Sequence, residues 1–308
     1  HHRLSMDFVK SHVLPRILDK KQKHRFSTYN KSNEGIFTFH VRVFGLLACL
    51  VCEGGAKQGN VLGTDGVDLL INFVQYPSSP KAHQLGFMAL LDAILGSREA
   101  CLHIVENQEL VKILTHSLRE VHDATSMIED IEILCALSRV EGSHGSHLHS
   151  AGALGDVVAV IKQFHEKGVK VMKEIDQEKW ETIILHAIAT LWGIVSGEHG
   201  PSPALETTEL VVQIAMEMAD GHGSHEAEML ICCFGLLSVV IHKPHTISGI
   251  LQSEKTYDFF LRCTLHKDVG VRVKAATALK FLVLDDPAHA NSVGCWKKIL
   301  ESEKQNYK

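Results

Sequence analysis

The sequence predicts an all-α protein, a solenoid of short helices stacked side by side, and three observations point there. Apolar residues recur three and four apart along the chain, and no useful stretch alternates with the period of two that a half-buried strand requires. Segments of this kind return at intervals of about 38 to 55 residues, each followed by a turn and a second, shorter apolar segment. Aromatic residues are only 6% of the 308, while Leu, Ala, Val and Ile carry most of an apolar content of 45%. Side chains of that size let helices approach one another closely.

Six longer helices are predicted, over residues 38–52, 82–95, 126–140, 181–196, 226–242 and 270–284. Ile184, Ala187, Ile188, Leu191 and Ile194 trace one buried face, and Val273, Ala276, Leu279 and Leu282 trace another. The shorter partners are predicted near Gly66–Val74, Glu109–Leu118, Ala153–Phe164, Glu209–Met218, Tyr257–Leu265 and Gly294–Leu300. A single pair cannot bury its own apolar faces, so the pairs must stack on one another. Residues 165–180 (HEKGVKVMKEIDQEKW) interrupt the series as a charged insertion.

Residues 1–35 form a separate N-terminal cap segment, leaving 36–308 as the repeat domain. The cap holds eight Lys and Arg against Asp7, Asp19 and Glu34, a charge of +5 that leaves −10 for the remainder. Its run Lys20-Lys21-Gln22-Lys23-His24-Arg25 reads as a solvated helix and loop, with a targeting or anion-seeking patch as the alternative. A net charge of −5 argues against a general nucleic-acid binder, which needs a basic surface to displace counterions from phosphates. The longest apolar run, Phe44 to Cys52, is far shorter than the ~20 residues of a membrane span. The eight cysteines sit mostly inside apolar runs, which predicts buried free thiols and a reducing compartment, cytoplasmic or nuclear. Cys49-Leu50-Val51-Cys52 has the spacing of a zinc or redox pair but lies within a helical run and has no second pair.

The stretch from Asp268 to Leu279, DVGVRVKAATAL, resembles the third helix of the armadillo repeat and of its HEAT relatives. Val41-Arg42-Val43, Ala89-Leu90 and Ala136-Leu137 echo parts of it. His149-Ser150-Ala151-Gly152-Ala153-Leu154 resembles the junction between the family's first and second helices. The resemblance covers residues 38–300 and implies a right-handed α-solenoid of about six repeats. It also implies a concave groove, lined by the longer helices, that takes a protein or peptide partner. Peptide-clamping armadillo proteins carry Asn after the "AL" pair, often with Trp one turn earlier. Here the Asn positions hold Cys49, Asp92, Arg139, Gly193, Ser238 and Phe281, and the earlier turn holds Gly45, Met88, Cys135, Ala189, Phe234 and Thr277. That departure argues against a nuclear-import or catenin-like clamp. The groove is instead predicted to present Asp92, Arg139 and Ser238 as a polar track, with Phe234 and Trp192 as apolar anchors.

Histidine is abundant, with 21 copies, and His-Gly-Ser-His occurs at His144–His147 and again at His222–His225. With His149, the first copy would offer His144, His147 and His149 to zinc, nickel or copper from a mobile loop. Surface histidines without a metal are the simpler reading. The turns after four of the longer helices also carry histidine, at His144/His147/His149, His199, His242/His245 and His289, which would form a pH-sensitive strip along one edge. No phosphate loop, nucleophile elbow, HExxH or dinucleotide fingerprint occurs. The chain therefore reads as a non-enzymatic interaction module or scaffold with no cofactor. The alternative is an unusual enzyme or a small-molecule or metal binder built on the histidine-rich positions.

Overall fold

The computed structural model describes residues 67–68, 70–71, 74–75, 80–96, 98–118, 124–139, 144–171, 176–197, 200–220, 225–241 and 253–285. The cap segment 1–35, the helices expected at 38–52 and 294–300, the Cys49/Cys52 pair and the turn histidines His199, His242, His245 and His289 lie outside these residues.

All regular elements among the described residues are helices. They are α1 (Pro80–Gly96), α2 (Arg98–Glu106), α3 (Gln108–Ser117), α4 (Ala124–Arg139), α5 (His144–Ser150) and α6 (Ala153–Val171), followed by α7 (Gln177–Val195), α8 (Leu205–Asp220), α9 (Glu226–Val240), α10 (Glu254–Cys263) and α11 (Val269–Asp285). None is long and apolar enough to cross a membrane.

The packing makes two layers. One consists of α1, α4, α7, α9 and α11, each lying against the next. Onto this inner layer pack α3, α6, α8 and α10, one against each of α4, α7, α9 and α11, and these outer helices touch one another only lightly. A continuous core fills the space between the layers, with Leu90, Ile131, Ile188, Leu237 and Leu282 contributed by the inner helices. Burial on this scale is what stabilises helices that would be marginal alone.

Local chemistry sets the helix starts. Asn107 Oδ1 accepts from the Leu110 N–H at 3.0 Å, Ser253 Oγ from Thr256 N–H at 3.2 Å and Asp268 Oδ1 from Val271 N–H at 3.1 Å. Each satisfies one amide that the first helical turn leaves unpaired. The turn before α11 is also tied to the start of α9. His266 Nδ1 accepts from the Asp268 N–H at 3.0 Å, which leaves its Nε2–H to donate to Glu226 Oε1 at 3.2 Å.

Two differences from the sequence expectation stand out. The charged insertion is mostly helical, because α6 continues to Val171 and α7 already begins at Gln177. Polar residues extend a helix readily when one side remains wet, and His165 Nδ1 lies 3.6 Å from Glu217 of α8. The segment expected to be a mobile histidine loop is α5, a short helix. Gly152 closes it with φ +90°, a backbone shape that suits glycine, and its N–H donates to the His149 carbonyl at 2.9 Å.

Candidate functional site

Among the described residues the outer helices cover one side of the inner layer, and half-exposed residues such as His186, Trp192, Ser238 and Lys274 mark a side they leave open. Inner helices meet closely at three glycines. A Cβ on Gly193 of α7 would lie 2.6 Å from the Ser138 carbonyl oxygen of α4. One on Gly235 of α9 would lie 2.6 Å from the Trp192 indole of α7. One on Gly270 of α11 would lie 2.8 Å from the Ile231 Cδ1 of α9. Trp192 thus rests flat on the backbone of the next helix, and Lys274 from α11 places its Nζ 4.9 Å from the indole centroid. A cation over an indole face is attracted by the ring quadrupole, an interaction of about 0.5–2 kcal/mol.

Beside this stack lies a polar group drawn from three helices. Arg139 is the exposed last residue of α4. His186 of α7 is half-buried, with Nδ1 at 3.8 Å from Glu132 Oε1 of α4 and no hydrogen bond to that nitrogen. Glu228 of α9 is held by His225 Nδ1 at 3.0 Å. Burial lowers the His186 imidazole to about 4, Arg139 and His225 deepen the shift, and Glu228 opposes it. Burial raises the Glu132 carboxyl. Under the cluster, burial pushes the Cys232 thiol up to about 11, against the pull of Arg139 and Lys274. Cys101, Cys135, Cys233 and Cys263 are likewise buried, free and raised, so none of these thiols is a ready nucleophile.

The depressed His186 value has a consequence for stability. Between its folded value near 4 and the ordinary value of 6.5, the unfolded chain binds a proton that the folded chain refuses. Stability from this group is therefore full above pH 6.5 and declines as pH falls toward 4. The loss should be about 1–2 kcal/mol between pH 7 and pH 5, with Glu132 acting in the opposite sense. Urea unfolding of the parent and His186→Gln at both pH values measures it. An equal pH dependence in the two proteins would refute the assignment.

The expected groove residues fall as follows. Asp92 on α1, Trp192 and Ser238 are half-buried and Arg139 is exposed, whereas Phe234 is fully buried. Phe234 points into the core and packs against Phe259 at 5.7 Å and Phe260 at 5.0 Å between ring centroids, so its expected role as a groove anchor is corrected. The Ser238 hydroxyl donates to the Gly235 carbonyl at 2.7 Å within its own helix. The contacts of Gly270 with Ile231 and of Lys274 with Trp192 bring Thr277, rather than Phe281, level with Ser238. That is one helical turn from the sequence alignment. Lys274, His186, Glu132 and Glu228 escaped the sequence reading.

Of the three histidines considered for metal, all lie on α5. His147 is half-buried and His149 exposed, and two residues apart on a helix they do not share a face. The side chain of His144 lies outside the described set. Among the described residues no group of three or more His, Cys, Asp or Glu is arranged to hold a metal ion.

No protein-family model matches the chain, and no curated protein matches it. Solved structures do. An engineered protein from the Northeast Structural Genomics Consortium superposes with a TM-score of 0.60 at 18% identity, over 85% of this chain and 56% of its own. The chain thus spans little more than half of that protein. A designed armadillo repeat protein superposes with a TM-score of 0.59 at 13% identity, covering 87% of this chain and 99% of its own. A second, solved in complex with the peptide (KR)4, gives 0.59 at 15% identity over the same shares. At such identities the likeness speaks for fold alone: the chain is an all-α, armadillo-like solenoid.

Proposed function

We propose that this protein is a non-enzymatic interaction module that holds a protein or peptide segment on the open side of its inner layer. One observation carries the reading. Among the described residues, inner helices that pack in succession keep exposed or half-exposed side chains where no outer helix covers them, among them Arg139, Trp192 and Lys274 on three helices. An indole flanked by charged groups is the kind of residue that dominates binding energy at protein interfaces. A designed armadillo protein of similar fold is solved with a bound peptide, which supports the choice of partner class.

Native mass spectrometry of the protein from its natural source identifies what it carries. With that partner in hand, Arg139→Glu is expected to weaken association more than tenfold, roughly 1.4 kcal/mol or more. The melting temperature should barely move, because Arg139 is exposed and supports little core. Lys112→Glu, on the exposed side of α3 in the outer layer, should leave binding intact. The reverse pattern would move the functional surface to the outer layer.

A further inference from the structure

We infer that the open face takes an extended, carboxylate-rich segment, whose acidic side chains are received by Arg139 and Lys274 on either side of Trp192. This rests on the reading of the open face as a binding surface and names the chemistry of its occupant.

Charge complementarity is the argument. On the outer layer, cations of one helix meet carboxylates of the next, as Lys162 meets Glu206 at 3.4 Å and Arg262 meets Asp220 at 4.0 Å. On the open face the two cations beside Trp192 have no such partner among the described residues. Arg139 is exposed and makes no ion pair there, and the Lys274 ammonium lies over an indole ring instead of a carboxylate. The nearby acids are already engaged. Glu228 has His225 at 3.0 Å, and Glu132 is half-buried with the His186 ring at 3.8 Å. Arg139 and Lys274 also share a neighbourhood: Ser138, next to Arg139, lies against Gly193, next to Trp192, over whose ring the Lys274 ammonium sits.

A guanidinium offers a carboxylate two parallel hydrogen bonds, and an ammonium offers a point charge, so the pair suits acidic side chains spaced along an extended chain. Trp192 between them supplies a flat apolar surface for a neighbouring aliphatic residue. Such an occupant is opposite in charge to the peptide (KR)4 with which the similar designed protein is solved. A nucleic acid would also bring negative charge, but the chain carries a net charge of −5 and lacks the broad basic surface that a phosphate backbone demands.

The test uses the full chain and two fluorescein-labelled octapeptides, one alternating Glu and Leu, the other alternating Lys and Leu. Anisotropy reports affinity, and hydrogen exchange of the complex reports location. The acidic peptide is expected to bind at least about tenfold more tightly. It should protect α4, α7 and α11, and lose its advantage in the double variant Arg139→Gln/Lys274→Gln at unchanged helicity. Acidic binding that survives the double variant overturns the inference. Tighter binding of the basic peptide, with protection on the same three helices, overturns it while leaving the open face as the binding surface. Protection by neither peptide there brings down both readings. A single-stranded oligonucleotide that outcompetes the acidic peptide through the same two residues would replace the protein segment with nucleic acid.

Discussion

Replacing Phe234 by alanine should destabilise the protein by about 3–5 kcal/mol, the range for removing a buried phenyl ring. Phe234 is fully buried and stands where three aromatic rings meet. It stacks on Phe259 at 5.7 Å and meets Phe260 edge-on at 5.0 Å, while Phe259 and Phe260 themselves lie 5.8 Å apart. Removing the central ring leaves a cavity lined by groups that α9 and α10 hold apart, and rigid helices collapse into such a space only in part. In a stack where each pair touches only its neighbours, the loss should be concentrated at α9 and α10. Hydrogen exchange should show those helices opening first, with α4 and α6 little changed. A loss below about 1 kcal/mol would mean that the aromatic cluster does not hold the outer layer to the inner one.

The next largest effect should come from adding a single methyl group. Gly193→Ala gains about 1 kcal/mol of helical propensity, yet should destabilise by about 2–3 kcal/mol overall. The new carbon would sit 2.6 Å from the Ser138 carbonyl oxygen, a backbone atom that cannot swing aside as a flexible side chain would. Helices α4 and α7 would have to separate along their contact. Gly155 in α6 is the control, because a Cβ there meets nothing within 4 Å. Gly155→Ala should stabilise the fold by about 0.5–1 kcal/mol. Urea midpoints of the two variants should therefore move in opposite directions, and movement in the same direction would refute the close-packing account.

Much of the inner layer is legible from periodicity. The expected helices at 82–95, 126–140, 181–196 and 270–284 coincide with α1, α4, α7 and α11 to within a few residues. The helices α2 and α5 were not. Arg98–Glu106 does carry a pattern, with Ala100, Cys101, Ile104 and Val105 buried, but it is only nine residues long. Helix α5 buries Leu148 and has no apolar stripe, so only the Ala151-Gly152-Ala153 junction behind it gave a signal. The orientation of α9 was beyond periodicity for a different reason. Its run Met229–Val240 is apolar nearly all round, so nothing in the spacing separates Phe234, which faces the core, from Ser238, which does not. The meeting of Glu132 with His186, 54 positions apart, depends on how far one helix slides along another. Gly193, at the contact of those two helices, shows its role only once the neighbouring helix is in place.

Gly193 and Gly235 tie the inner layer together. Where a residue has no side chain, a neighbouring backbone or ring can come into direct contact with the helix. Gly193 lets α7 lie against the Ser138 carbonyl of α4, and Gly235 lets α9 lie against the Trp192 indole of α7. The seam through three successive helices is in this sense encoded by missing side chains: a methyl group restored at either place would push two neighbours apart, and at Gly235 it would lift the helix off the indole.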